Sequence, residues 1–170
     1  MEGFRVDSFK YLPRSLRFRF EGFPDQPGPR TFVRPTKPLS RAKVALLTSA
    51  GLYVKDRQPP FDLERERQDP FWGDPSLRVL PRGLRQEEVG VAHLHINPDP
   101  ILQDFNIVLP LDRLEELARE GVIGSVAERH YSVMGYQGPF PPRAWEEGTG
   151  PEIARMCREE GVDLVVLAPA

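Results

Sequence analysis

The sequence predicts an α/β fold, a mostly parallel sheet with flanking helices of the Rossmann-like or flavodoxin-like kind. Three observations carry this. Compact apolar runs at Ala42–Thr48 and Asp163–Ala168 have the composition of strands buried on both faces. Two helical segments carry their own start and stop signals. Their ends also rhyme: Ala118-Arg-Glu-Gly-Val and Cys157-Arg-Glu-Glu-Gly-Val each run straight into an apolar segment, the helix-to-strand half of a βαβ unit used twice.

Residues 1–40 read as an irregular arm ahead of a single α/β domain at 41–170. Counted to Lys43, this end carries ten basic residues against Glu2, Asp7, Glu21 and Asp25, and the prolines at 24, 27, 29, 35 and 38 forbid helix or central strand. Leu16-Arg-Phe-Arg-Phe20 alternates as an edge strand or extended arm would. Arginines and phenylalanines in that pattern suit nucleic acid, but no helix-turn-helix, zinc or RNA-recognition motif accompanies them, so an arm lying across the domain is expected.

Within the domain, Ala42–Thr48 is the first strand, ending in the small-residue turn Ser49-Ala50-Gly51, which would let a ligand approach the backbone. Asp56–Pro75 is a long polar loop whose Phe61, Phe71 and Trp72 need somewhere to pack. Ser76–Leu80 is a short strand and Glu88–Ile96 a longer one carrying His93 and His95, which on a strand share a face with Cα atoms about 6–7 Å apart. Asn106–Leu109 reads as a strand-like piece. Asp112 and Glu115 form a capping-box pattern ahead of an apolar stripe, Leu111, Leu114, Leu117 and Ala118, and Gly121 stops that helix. Val122–Val126 is a buried strand that leads into Glu128-Arg129-His130-Tyr131-Ser132. Thr149-Gly-Pro-Glu152 is a second capping box with proline in the first turn, and Gly161 ends its helix. Cys157 falls on the apolar side of that helix and reads as a packed residue rather than a nucleophile. The final strand looks central and buried, yet no helix follows to cover it.

Composition bounds the partners. With 23 basic and 25 acidic residues there is no bias toward nucleic acid or anionic membrane, and no apolar run approaches the ~20 residues of a membrane span. The start lacks the apolar core of a secretory signal, and one cysteine allows no internal disulfide, so a cytoplasmic protein is expected.

In a parallel sheet, ligands bind at the carboxyl ends of the strands. That principle gathers Thr48–Gly51, His95–Asn97, Ala127–Tyr131 and Pro169-Ala170 on one edge. His95, Arg129, His130 and Tyr131 are therefore the candidate substrate-binding residues. Arg129 and His130 would hold a carboxylate, and His95 would act as acid, base or hydrogen-bond donor. The three histidines could in principle meet, but their spacing alone assigns no metal.

A set of fragments then stands in order: Thr36-Lys-Pro-Leu-Ser40, Val44-Ala-Leu-Leu-Thr48, Lys55-Asp56, Pro59-Pro-Phe-Asp62, Gly73-Asp-Pro-Ser76, His93-Leu-His95, Asn106-Ile-Val-Leu-Pro-Leu-Asp-Arg113, Gly121-Val-Ile-Gly124, Arg129-His130-Tyr131, Met134-Gly-Tyr136 and Gly161-Val-Asp-Leu-Val-Val-Leu-Ala-Pro169. Over residues 36–169 this resembles the selenoprotein B family of glycine, sarcosine, betaine and D-proline reductases. The resemblance implies an oxidoreductase that cleaves a C–N bond reductively. Its electrons would pass through a selenocysteine or cysteine with a second cysteine three positions on. A separate subunit bearing a pyruvoyl group captures the amine in the glycine and D-proline systems.

No such pair occurs in these 170 residues, so no catalytic residue is assigned and no cofactor is expected in the chain itself. The resemblance puts the redox motif directly after the last strand, beyond Ala170. Either the reading frame stops at a selenocysteine codon or a frameshift, or the scaffold is genuinely short and has lost the reaction. On both views the isolated chain is expected to be inactive. The expected partners are a second copy or another subunit covering the last strand, with a small amino acid or amine as substrate. The alternative is a non-catalytic assembly subunit that uses the strand-end pocket or the last-strand edge to hold a partner.

Overall fold

The computed structural model describes residues 33–69, 72–137 and 143–170. The chain divides into two units, Met1–Arg34 and Pro35–Ala170. All but two residues of the first, and with them the Leu16–Phe20 alternation, lie outside the described residues, as does Phe71.

The second unit is built on β1 (Lys43–Thr48). Val44 and Leu46 point into one apolar cluster, while Ala45 and Leu47 join another, so successive side chains of one strand serve two layers. On one side β1 pairs in parallel with β7 (Leu164–Ala168) along five residues. On the other it pairs in parallel with β5 (Ser125–Val126) at its start and β6 (Arg129–Ser132) at its end. β3 (Arg78–Pro81) adds antiparallel to β6. A separate antiparallel pair joins β2 (Leu52–Val54) to β4 (Val89–Val91). The sheet is thus mostly parallel, with one antiparallel edge.

Among the described residues, four α-helices flank it: α1 (Leu63–Gln68), α2 (Asp99–Gln103), α3 (Leu111–Arg119) and α4 (Gly150–Glu160). Leu111 and Leu114 of α3 and Ile101 of α2 pack with Val44 and Leu46. Met156, Cys157 and Ile153 of α4 pack with Ala45 and Tyr131 on the opposite face. Cys157 is 8% exposed, and its thiol donates to the Tyr131 hydroxyl at 3.5 Å.

Gly121 and Gly161 both close their helices in the left-handed conformation, at φ 71°. The helix starts differ from the capping-box pattern. Pro110 precedes α3, and the cap is built from outside: the Asp112 amide donates to Asn106 Oδ1 at 2.8 Å, and Asn106 Nδ2 donates to the Asp112 carboxylate at 3.0 Å. At α4, the Thr149 hydroxyl turns outward and donates to the Pro75 carbonyl at 2.5 Å, and Trp145–Thr149 forms a π-helical turn ahead of the helix.

Other expectations are corrected. Phe105–Ile107 is a 3-10 turn, not a strand, because the Asp104 carboxylate accepts the Asn106 amide and winds the chain there. β5 keeps only two residues of the expected Val122–Val126 strand, and β4 stops at Val91, before the histidines. The long polar loop contains α1, capped by Asp62, whose side chain accepts the Arg65 amide at 3.0 Å. Most consequential is β7. Among the described residues it is an edge strand rather than a central one, with Val165, Val166 and Leu167 exposed at 36, 45 and 67%.

Candidate functional site

The ends of β1, β4, β6 and β7 meet on one edge and are stitched together by hydrogen bonds. The Gly51 amide donates to the Val133 carbonyl at 3.1 Å and the Ala92 amide to the Gly51 carbonyl at 2.9 Å. Ala50 bridges Met134, and the Ala170 amide donates to Ser49 Oγ at 2.9 Å. Around these ends lies a cavity of about 510 Å³ lined by Ser49, His93, His95, Ile96, Gly135, Tyr136, Trp145, Pro169 and Ala170. Of the four segments expected there, the turn after β1, the His95 segment and Pro169-Ala170 do gather.

The histidines arrive by a turn instead of a strand. The His95 amide donates to His93 Nδ1 at 3.1 Å, and the rings stand edge to face with centroids 5.8 Å apart. Burial, with the neighbouring His95, holds the His93 imidazole below its ordinary pKa, so it is neutral at pH 7. With Nδ1 accepting, its proton resides on Nε2. His95 Nε2 lies 2.8 Å from Glu66 Oε1, and its ring centroid is 5.2 Å from that of Tyr136. Glu66 is only 3% exposed. Its place on α1 is set by the Asp62 cap and by Asp74, whose carboxylate accepts the Asp62 amide at 2.9 Å.

Sequence reasoning missed Glu66 because it lay in a stretch read as loop. The available signal was Asp62 followed by glutamates in the next turn, an N-cap with acidic residues at the positive end of a helix. Trp145 was likewise unassigned.

Arg129, His130 and Tyr131 do not line this cavity. Four residues, 127–130, stand opposite Ala45 and Leu46 of β1, so the strand bulges there and loses its regular ladder. His130 fills the gap: fully buried, its Nδ1 accepts the Leu46 amide at 3.0 Å, in place of a backbone carbonyl. Arg129 lies against α4, donating to Glu160 at 2.9 Å and to the Met156 carbonyl at 2.8 Å. Tyr131 is fully buried, and burial with the Cys157 contact raises its hydroxyl pKa well above the usual range. The expected rim cluster is therefore the device that holds a bulge.

Among the described residues, no three His, Cys, Asp or Glu side chains gather to hold a metal. His130 is in the core, so the three histidines do not meet. Nor is any helix among these residues long and apolar enough to cross a membrane.

Comparison with known proteins adds the family. A profile of the glycine/sarcosine/betaine reductase selenoprotein B family matches residues 30–170. The chain belongs to this family. Among relatives, it is 36% identical over 140 residues to the D-proline reductase subunit gamma of Acetoanaerobium sticklandii, a match spanning 82% of this chain and 53% of that protein. It is 35% identical over 133 residues to the glycine reductase complex component B subunit gamma of Symbiobacterium thermophilum, spanning 78% of this chain and 29% of the relative. It is 32% identical over 136 residues to the betaine reductase complex component B subunit beta of Peptoclostridium acidaminophilum, again 78% and 29%. This selenoprotein B-family chain therefore spans about half of the first relative's length and under a third of the others'. No solved structure matches it.

Proposed function

We propose that this chain forms the substrate-holding part of a reductase component that cleaves the C–N bond of a small amino acid. The observation that carries the proposal is the cavity itself. It sits at the carboxyl ends of β1, β4, β6 and β7, the last being the strand after which the family resemblance puts the redox pair. In the reaction, the C–N bond breaks and a C–H bond replaces it. A dithiol or thiol–selenol pair gives two electrons and two protons and ends oxidised. His95, steadied by Glu66, is the side chain of the cavity suited to protonating the departing nitrogen. The pyruvoyl group of the glycine and D-proline systems would come from a partner subunit, and no step is assigned to it here. Arg129, His130 and Tyr131 enter this reading as scaffold.

Cys157 is the sole cysteine of the 170 residues, and it is buried without a second thiol. The purified chain alone should therefore reduce none of D-proline, glycine, sarcosine or betaine with dithiothreitol as electron donor. The complex captured from its own cells through this chain should reduce at least one. Turnover by the chain alone, or none by the complex, would contradict the proposal.

The β7 edge favours an assembly role beside this one. Val165, Val166 and Leu167 expose apolar surface along a strand edge that no described residue pairs, a surface that folded proteins usually cover. We place the partner subunit or a second copy there. Leu167→Glu should change folding stability by no more than about 0.5 kcal/mol, as expected at an exposed site, while abolishing association measured by sedimentation or co-purification. Unchanged association would move the interface elsewhere.

A further inference from the structure

Five buried side-chain nitrogen or oxygen atoms among the described residues have no hydrogen-bond partner, and two of them, His93 Nε2 and Trp145 Nε1, belong to residues lining this one cavity. Both are N–H donors: the indole can be nothing else, and the neutral His93 ring has already committed Nδ1 to the His95 amide. A buried donor left without an acceptor is costly and rare, so two at one cavity mark a place where an acceptor is meant to arrive. The backbone agrees. Trp145 opens the π-helical turn that precedes α4, with the Gly150 amide donating back to its carbonyl, a distortion frequent at functional sites. Among the described residues, no arginine or lysine lines the cavity.

We infer that His93 Nε2–H and Trp145 Nε1–H together bind the carboxylate of the substrate. The choice of ligand rests on the reductase reading. The compounds in the relatives' names, D-proline, glycine, betaine and sarcosine, share a carboxylate one carbon from nitrogen and differ in what the nitrogen carries. A grip on the shared end, through neutral donors on rigid aromatic rings, leaves the nitrogen near the Glu66–His95 pair and tolerates any of the four at the common end.

The test is a nitrogen-15 NMR titration of the full 170-residue chain, following the Trp145 indole signal, identified by its loss in Trp145→Phe. D-proline, betaine and acetate should each move that signal, whereas pyrrolidine and tetramethylammonium should leave it in place. Trp145→Phe keeps the ring and loses the donor. His93→Asn keeps an oxygen for the His95 amide and loses Nε2–H. Followed through backbone amide signals, which both variants keep, each should weaken D-proline and betaine about tenfold, roughly 1.4 kcal/mol. Equal affinity in wild type and both variants would overturn the inference. Movement with the amines but not the carboxylates would overturn it too, and leave the reductase reading standing with the other end of the substrate gripped. Binding of no compound would overturn both.

Discussion

His130→Ala should lower the unfolding free energy by about 3–8 kcal/mol, a large part of what a domain of this size possesses. The loss has two sources. Removing the imidazole leaves the buried Leu46 amide without an acceptor, at about 1–3 kcal/mol, and opens a cavity between β1 and the bulge, of the kind that costs about 2–5 kcal/mol in large-to-small core substitutions. His130→Asn should recover part of this at pH 7, because Oδ1 can take the place of Nδ1. The same residue sets a pH dependence. Burial pushes the His130 pKa down to about 4, against an ordinary value near 6.5. Between those values the unfolded chain takes a proton that the folded one refuses. Stability is therefore unaffected by this group above pH 6.5, falls as the pH drops from 6.5 toward 4, and loses about 3 kcal/mol over that window. Carboxylates add their losses at lower pH. Burial pushes Glu160 up, but the Arg129 guanidinium and the Glu128 amide hold it below its ordinary value, so its contribution disappears only below about pH 4.5. Urea unfolding at pH 7, 5.5 and 4.5 separates the two. His130→Asn should flatten the upper window; an unchanged slope there would put the proton elsewhere.

Gly51→Ala should damage folding and the site together. Gly51 sits at φ 65°, where a side chain costs about 1–2 kcal/mol, and a Cβ there would lie 2.3 Å from the Ala92 carbonyl oxygen and 3.0 Å from Met134 Sδ. Backbone must move to admit it, and such overpacking typically costs about 1–3 kcal/mol more. The total expected is about 2–5 kcal/mol. The segment that must shift is the one leading into His93 and His95, so ligand affinity should fall further than in a variant of equal instability made away from the cavity. Thermal unfolding together with a D-proline titration checks this. Wild-type stability would contradict the geometry, and lost stability with unchanged affinity would detach Gly51 from the site. The small-residue turn does admit a close approach of backbone, but that backbone is the protein's own.

Much of the fold was legible because it rests on local signals. Ala42–Thr48 and Asp163–Ala168 declared themselves by apolar runs, and Gly121 and Gly161 by their position after a periodic stripe. The rest was settled by pairing at a distance. Nothing in Leu164–Ala168 distinguishes a central strand from an edge strand, since that depends on what else joins the sheet. The strand-end rule located the cavity and placed His95 and Ala170 on it. It failed at Arg129-His130-Tyr131 because a bulge shifts the register by two residues, turning a histidine that would have faced the rim into a plug for the ladder. The bulge shows only in how β6 pairs with β1. Glu66 was hidden for the opposite reason: its helix is six residues long, too short for periodicity to reveal.

The most direct measurement is a crystal structure of this chain soaked with D-proline or betaine. The account predicts the ligand in the cavity bounded by Ser49, His93, His95, Tyr136, Trp145 and Ala170, its carboxylate toward His93 and Trp145 and its nitrogen toward His95. Ligand bound instead in the smaller cleft at Asp104, Asn106, Asp112 and Arg113, or nowhere on the domain at saturating concentration, would contradict it.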